Sequence, residues 1–218
     1  DLDSLPMPAY HLVPMQRYFP SLGAYKRLPA INMLMTRGCP GKCTFCNSAE
    51  TKLRTRSAAR VVEEIEHLRR TYGIREIQFY DDTFTVFKQN VSTFCRLMKE
   101  KKLGVSWTAF VRTDCFAEDL ATEMKEAGCH QVMFGVESGS QKVLDRLKKE
   151  QTLAEVESAV DNAKDAGIEI VHGFFVVGTP GETVEDMRAT FDFAARLRLD
   201  TFAFNRLCVY RGTPLWHE

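Results

Sequence analysis

Three cysteines lie close together in the segment Cys39-Pro-Gly-Lys-Cys43-Thr-Phe-Cys46, with the spacing C-x3-C-x2-C. Thiolates this close in sequence can reach one metal centre. Structural zinc sites use four protein ligands, and common electron-transfer iron–sulfur clusters use four cysteines. A cubane cluster held by three cysteines leaves one iron without a protein ligand. The spacing therefore predicts a metal centre at which a small molecule can bind.

The three cysteines allow other interpretations. A disulfide leaves one thiol over, and nothing marks the chain as secreted. Zinc requires a distant fourth ligand, and the nearest downstream histidine, His67, lies in a strongly helical stretch. Pro40 and Gly41 indicate a loop, which argues against three merely packed cysteines. A non-catalytic iron–sulfur carrier wants a fourth nearby cysteine. A carrier and a zinc-binding module both stay open as alternatives.

Composition and charge narrow the class of protein. The chain has 218 residues, of which 44% are hydrophobic, and this suits one globular domain. Its 29 basic and 29 acidic residues balance, so we expect no nucleic-acid partner. We also expect no membrane span and no signal peptide. Seven cysteines without a disulfide framework fit a reducing cytoplasm. We interpret four of them as packing residues: Cys95, Cys115, Cys129 and Cys208.

Short apolar strands alternate with amphipathic helices from residue 31 onward. Strand followed by helix, repeated, predicts parallel strands with right-handed crossovers. The predicted strands are 31–35, 76–80, 105–111, 131–136, 168–177 and 201–209, and the predicted helices are 57–72, 89–102, 116–127, 152–166 and 183–197. The fold class is therefore α/β, a partial (β/α)6 barrel of the TIM type formed by residues 31–218. Residues 1–30 hold five of the eight prolines, including Pro20, and are expected to form an extended linker.

The C-terminal ends of the strands should carry the chemistry, as they do in barrels of this type. Each predicted strand is followed by a polar or glycine-rich segment: Cys39–Cys46, Tyr80–Asp82, Arg112–Asp114, Glu137–Ser140, Gly178–Gly181 and Tyr210–Pro214. Charged runs elsewhere, such as Lys148–Glu150, are interpreted as solvated surface. His172, in the fifth strand, is interpreted as a packed or cavity-lining residue.

These segments offer groups that suit an amino-acid nucleoside. Asp81 and Asp82 can accept hydrogen bonds from an ammonium group. Arg112 can pair with a ligand carboxylate, although a salt bridge to Asp114 or Asp82 is the alternative. Glu137 and Ser138 can bind ribose hydroxyls. Gly178 and Gly181 allow the backbone to approach a ligand closely.

The cysteine loop, with Phe45 before its last cysteine, resembles the cluster loop of the radical S-adenosylmethionine superfamily. Four further segments resemble its cobalamin-binding branch: Arg37–Pro40, Asp81–Phe84, Gly135–Ser140 and Gly178–Glu182. The resemblance implies that Cys39, Cys43 and Cys46 hold a [4Fe–4S] cluster whose fourth iron binds S-adenosylmethionine. It also implies cofactor contacts from the loops: Phe45 beside the cluster, Tyr80 to Asp82 at the methionine amine without a choice among the three, Glu137 and Ser138 at the ribose and carboxylate, and Leu207 to Tyr210 near adenine.

The same resemblance implies the reaction. A 5′-deoxyadenosyl radical, formed with electrons from a flavodoxin or ferredoxin, takes hydrogen from a small-molecule or modified-metabolite substrate. Cobalamin-dependent methylation or ring rearrangement is the expected outcome in the full enzyme. A methylthiotransferase-like or cobalamin-independent radical enzyme is the alternative. The chain lacks the Gly-Gly-Glu amine motif and the Asp-x-His-x-x-Gly cobalamin signature. If the full enzyme binds cobalamin, the cobalamin domain is expected before Asp1.

Overall fold

The computed structural model describes residues 1–18 and 25–218. Six parallel strands form one sheet, in which the spatial order equals the order in the chain. The strands are β1 (Ala30–Met33), β2 (Glu76–Phe79), β3 (Ser106–Val111), β4 (Cys129–Glu137), β5 (Ile170–Val177) and β6 (Thr201–Arg206). A helix lies between each strand and the next from β1 to β6, and the predicted partial (β/α)6 barrel is confirmed.

Local sequence explains where the helices begin and end. They are α1 (Ala58–Tyr72), α2 (Lys88–Lys101), α3 (Glu118–Glu126), α4 (Gln141–Arg146), α5 (Leu153–Asp165) and α6 (Val184–Arg196). Thr152 and Thr183 close capping boxes with Glu155 and Asp186, each satisfying amide groups at its helix start. Gly73 ends α1 with φ 66°, a left-handed conformation that glycine adopts at little cost. The short helix α4 was not predicted.

The hydrophobic core lies between the sheet and the helices. Ile77, Phe79, Trp107 and Phe134 are fully buried on the helix-facing side of the strands. The ring of Phe94, on α2, meets the Trp107 ring edge-on at 5.3 Å between centroids. Burial of these large rings stabilises the barrel by the hydrophobic effect, which scales with the apolar area removed from water.

The last strand of the sheet is more exposed than the central strands. Edge strand β6 has no strand on its far side among the described residues, and its ends, including Phe202, are exposed. It also stops at Arg206 rather than at residue 209. Leu207 makes one last bond, from its N–H to the Val177 carbonyl at 2.9 Å, and the chain then turns. Cys208 is exposed, so it is not the packing residue that was predicted.

The N-terminal residues lie against the edge of the barrel at β1 and α1. Two short 3-10 helices, Tyr10–Leu12 and Met15–Arg17, replace part of the expected extended segment. The Tyr10 ring packs edge-on against Tyr72, and its hydroxyl donates to Glu64. Pro20 lies outside the described residues, and a domain boundary at residue 30 stays a prediction. Across 1–18 and 25–218, none of the helices has the length and apolar character required of a membrane span.

Candidate active site at the carboxyl ends of the strands

The cysteine loop leaves β1 and is closed at its base by a two-stranded ribbon. Thr36–Arg37 pairs antiparallel with Arg54–Thr55. Inside the loop, the Cys39 N–H donates to Thr51 Oγ1 at 2.9 Å, and the Thr51 N–H donates back to the Cys39 carbonyl at 3.1 Å. Local hydrogen bonds therefore give the loop one conformation and hold its cysteines on one side of the barrel mouth.

All three loop cysteines are free thiols, and two of them are buried. Backbone amides face two sulfurs: the Gly41 N–H donates to Cys39 Sγ and the Ser48 N–H donates to Cys46 Sγ, each at 3.4 Å. Such donors favour thiolates, the form that binds iron. Burial raises the pKa of the Cys43 thiol, and the positive charge of Lys149 works in the opposite direction.

The donor set fits an iron–sulfur cubane. Among the described residues, no three metal-binding side chains converge on a single ion. A cubane has a different requirement, because each thiolate binds its own iron. Two cations, Arg112 and Lys149, lie near these sulfurs, and a thiolate-bound cluster is anionic. Three sulfurs, two of them with amide donors, and nearby positive charge are what such a cluster needs.

Arg112, at the end of β3, lies directly against the cysteine loop. A Cβ atom added at Gly41 would sit 2.6 Å from Arg112 Nη1 and 3.3 Å from Cys39 Sγ, so the loop needs glycine at this close approach. The Arg112 guanidinium donates to both carboxylate oxygens of Asp114 at 2.9 Å. The salt bridge that the sequence offered as an alternative is therefore present, and it raises the pKa of Arg112.

Glu137 forms a buried ion pair with a residue that sequence reasoning missed. Its Oε1 lies 2.8 Å from Lys149 Nζ, and both residues are under a tenth exposed. The pair fills space beside Gly135, where an added Cβ would lie 2.6 Å from the carboxylate and 2.8 Å from the ammonium nitrogen. Glu137 also has φ 68°, an unusual backbone conformation outside glycine that tends to occur at functional sites.

The prediction that Lys149 is solvated surface is wrong. Lys148 and Glu150, its neighbours, are exposed, whereas Lys149 points back under the cysteine loop after α4. Three consecutive charged residues thus differ in exposure, because the turn after α4 directs Lys149 inward and Lys148 and Glu150 toward solvent. No local feature of the sequence marks Lys149, since its partner Glu137 is twelve residues away on another element.

Asp81 and Asp82 have different environments although they are adjacent. The Asp81 carboxylate is buried and accepts from the backbone of Met35 and Thr36 and from Thr36 Oγ1, the last at 2.7 Å. It therefore fixes the start of the cysteine loop. Asp82 is exposed, and so is Tyr80, whose N–H donates to the Met33 carbonyl. Of the two carboxylates, Asp82 is the one accessible to a ligand.

The buried carboxylate of Asp81 predicts a pH-dependent stability. Burial raises its pKa to about 6, above the value of about 4 in an unfolded chain. The folded state then binds the proton more tightly, so this contribution is complete below about pH 4 and is lost as pH rises through about 6. Asp81→Asn keeps an oxygen acceptor without titrating. Relative to that variant, the parent should lose about 2 kcal/mol between pH 4 and 7.

Urea unfolding of the two proteins at successive pH values checks this result. Asp82→Asn is the matched control, since Asp82 is exposed. Parallel stability profiles for the parent and Asp81→Asn would contradict it.

Some of the remaining predicted residues connect neighbouring segments through hydrogen bonds, and others lie on loops with exposed or partly exposed side chains. Ser138 is fully buried, and its Oγ lies 3.0 Å from Thr190 Oγ1 on α6, so it joins two elements. Gly178 has φ 82°, and its N–H donates to Glu182 at 2.6 Å, which closes the loop after β5. Phe45 is half-buried, Tyr210 is exposed, and Leu207 lies beyond the end of β6.

The structure brings most of these segments together around the cysteine loop. The Thr44 N–H donates to the Leu147 carbonyl after α4, and the Thr44 carbonyl accepts from Leu215, each at 2.9 Å. Arg112 contacts the loop from β3. Segments that are far apart in sequence therefore meet where the three cysteines lie. The contact through Leu215 involves the C-terminal 3-10 turn Pro214–His217, which the sequence did not predict.

Comparisons with known proteins agree with this architecture. The model of the radical SAM superfamily matches residues 33–194. An uncharacterized methyltransferase of Pyrococcus horikoshii is 39% identical over 99% of this chain and 46% of that protein. Cytidylyl-2-hydroxyethylphosphonate methyltransferase of Streptomyces wedmorensis is 34% identical over all of this chain and 43% of that protein. The chain thus spans less than half the length of each of these relatives.

Solved structures show the same fold. The radical S-adenosylmethionine methyltransferase TsrM from Kitasatospora setae, solved with cobalamin and a [4Fe–4S] cluster, superposes with a TM-score of 0.77. The identity is 23%, and the match covers 84% of this chain and 35% of that one. The matched family model includes the cysteine loop and the four strands β2 to β5, and the cofactors of that family are a [4Fe–4S] cluster and S-adenosylmethionine. The chain is an enzyme core that belongs to the radical SAM superfamily.

Proposed function

We propose that Cys39, Cys43 and Cys46 hold the [4Fe–4S] cluster and that the surrounding strand-end loops hold S-adenosylmethionine. The observation that carries this proposal is the set of three free thiols on one hydrogen-bonded loop, with two cations beside it. The chemistry that these cofactors supply in the family is one-electron cleavage of S-adenosylmethionine, which gives a 5′-deoxyadenosyl radical.

The chain's own residues would bind the cluster and S-adenosylmethionine and orient them. Arg112 and Lys149 place positive charge near the sulfurs and near the carboxylate of the nucleoside, although the donors of Arg112 toward Asp114 are already in use. Asp82 offers an exposed carboxylate to the methionine ammonium group. Asp81 and Ser138 act as positioning residues, because each holds a loop through buried hydrogen bonds.

We propose methyl transfer to a small or modified metabolite as the reaction of the whole protein, in line with the names of its relatives. Cobalamin would be bound by residues outside these 218, since the Asp-x-His-x-x-Gly signature does not occur in them. A flavodoxin or ferredoxin would supply electrons. The cytoplasm is the proposed compartment, because all seven cysteines are free thiols.

The test uses anaerobically reconstituted protein. Reduced with dithionite in the presence of S-adenosylmethionine, it is expected to release 5′-deoxyadenosine, measured by chromatography. A cluster-loaded protein that binds no S-adenosylmethionine and releases no 5′-deoxyadenosine would contradict the proposal.

Asp82→Ala tests the ammonium contact separately. Loss of a charged hydrogen bond costs about 1.5–3 kcal/mol, so calorimetry should show S-adenosylmethionine binding weakened by roughly 10- to 150-fold. The cluster content should not change, because Asp82 touches no cysteine among the described contacts. Asp119→Ala, on the surface of α3, is the control and should bind as the parent does. Equal affinity in all three proteins would remove Asp82 from the site.

A further inference from the structure

Four rings line the face of the sheet that turns away from the helices. Tyr80, Phe110, His172 and Phe174, named here the aromatic wall, come from β2, β3 and β5 or their ends. Neighbouring centroids are 5.3 Å apart for Tyr80 and Phe110, 6.0 Å for Phe110 and Phe174, and 4.4 Å for His172 and Phe174. The rings thus form one continuous row across the inside of the barrel.

The aromatic wall is not ordinary core. A closed barrel fills its interior with layers of mainly branched aliphatic side chains. In this chain, aromatic rings occupy the corresponding layer of the barrel interior. Tyr80 is 47% exposed, and the other three rings are only partly buried. β4 lies between β3 and β5, and the Glu137–Lys149 ion pair fills the space beside its Gly135, opposite Phe174 in register. The partial exposure of the four rings leaves part of their π faces accessible from the barrel interior.

The aromatic wall lies next to the candidate cluster site. Arg112, which contacts the cysteine loop at Gly41, is two residues beyond Phe110. Two residues of strand span about 7 Å. A molecule resting on the wall therefore lies within a short distance of the place where the proposed chemistry occurs.

Polar groups accompany the rings. His172 Nδ1 lies 2.8 Å from Thr201 Oγ1, and no partner of Nε2 occurs within residues 1–18 and 25–218. Burial lowers the pKa of His172, which favours the neutral ring. One step down the strands, Gln78 Oε1 and Thr108 Oγ1 are buried and lack a partner among the described residues. Gln78 and Thr108 are register partners below Tyr80 and Phe110.

We propose that the aromatic wall positions the substrate, and that this substrate presents a planar conjugated ring with a hydrogen-bonding group on its edge. The inference rests on the proposed function and specifies its substrate class. Flat rings stack favourably on aromatic faces at these spacings, beyond what burial of area alone provides. His172 Nε2 and the oxygens of Gln78 and Thr108 give the polar edge of the substrate its partners.

Binding of 2-naphthol to the cluster-free chain tests the inference, measured by equilibrium dialysis. This probe has a flat ring and a hydroxyl donor. Decahydro-2-naphthol keeps the hydroxyl without the flat ring, and 2-methoxynaphthalene keeps the ring without the donor. The inference expects 2-naphthol to bind more tightly than both. Equal binding of the saturated compound would overturn it, as would no binding of 2-naphthol.

Matched variants locate the probe. Phe174→Leu and Tyr80→Leu keep apolar bulk and remove a π face, so each should raise the Kd by about 3- to 10-fold. Phe202→Leu changes an exposed ring elsewhere, on β6, and should leave the Kd unchanged. The Tyr80 variant serves as the second test if Phe174→Leu fails to fold, since Tyr80 is exposed. An equal effect of Phe202→Leu would place the probe elsewhere and overturn the inference.

Release of 5′-deoxyadenosine by the cluster-loaded parent is measured in parallel. If 2-naphthol does not bind but cleavage occurs, the inference fails and the proposed function stands. If 2-naphthol binds on the aromatic wall but the loaded protein neither binds nor cleaves S-adenosylmethionine, the proposed function fails while the wall remains a site for flat rings.

Discussion

Replacing any one of Cys39, Cys43 and Cys46 with alanine is expected to abolish the iron–sulfur cluster. The parent, reconstituted without oxygen, should bind about four irons per chain and show the brown colour of a cubane. Each variant loses one of only three protein ligands, so the iron content and the visible absorbance should fall to near background. Iron analysis and absorption spectra of the reconstituted proteins measure both quantities.

Cys208→Ala is the matched control for these variants. Cys208 is also a free thiol, but it is exposed and lies beyond β6 rather than on the cysteine loop. The Cys208→Ala variant should therefore retain the full iron content. If the variant lacking all three loop cysteines still held about four irons, the cluster would have other ligands and the assignment would be wrong.

Lys149→Met is expected to destabilise the fold by about 3–5 kcal/mol, because it leaves the buried Glu137 carboxylate without its partner. Burial opposes a charge on Lys149, yet attraction from Glu137 raises the pKa of Lys149 above its ordinary value. Each buried charge of the pair is thus stabilised by the other. Guanidinium unfolding of the cluster-free protein measures the loss. The double variant Glu137→Gln/Lys149→Met removes both charges and should recover much of the stability.

Lys148→Met provides the control for the lysine substitution. Lys148 is exposed and adjacent, so its loss should change the free energy of unfolding by no more than about 0.5 kcal/mol. Equal stabilities of the two single variants would show that the pair contributes nothing. The pair also decides how Glu137 should be tested for ligand binding. Glu137→Ala would leave Lys149 buried and unpaired, whereas Glu137→Gln retains an acceptor oxygen.

Local patterns predicted the elements of the barrel well. The observed helix and strand limits lie within two residues of the predicted ones, except at the end of β6. Hydrophobic periodicity and caps such as Thr152 with Glu155 act over a few residues, so they are readable from the sequence. The missed helix α4 is six residues long and has no side-chain cap, and so it offers little local signal.

The candidate site was predicted as a set of loops rather than as a set of contacts. Each strand-end segment was identified, because parallel strands place their carboxyl ends at one edge. The sequence did not show which side chain of each segment faces a ligand. Asp81 and Ser138 were selected for their polarity, but both are buried and hold neighbouring elements. A polar group that is buried needs a partner, and that partner lies far along the chain.

The sequence by itself determined the fold class and the cysteine spacing, since both follow from residue order over short distances. Only the tertiary structure decided that Lys149 pairs with Glu137, that Asp82 rather than Asp81 is exposed, and that four rings from three strand segments form one wall. These outcomes depend on strand register and on how each loop returns to the sheet. Register and loop closure bring together residues that are remote in sequence, and no local periodicity records which of them will meet.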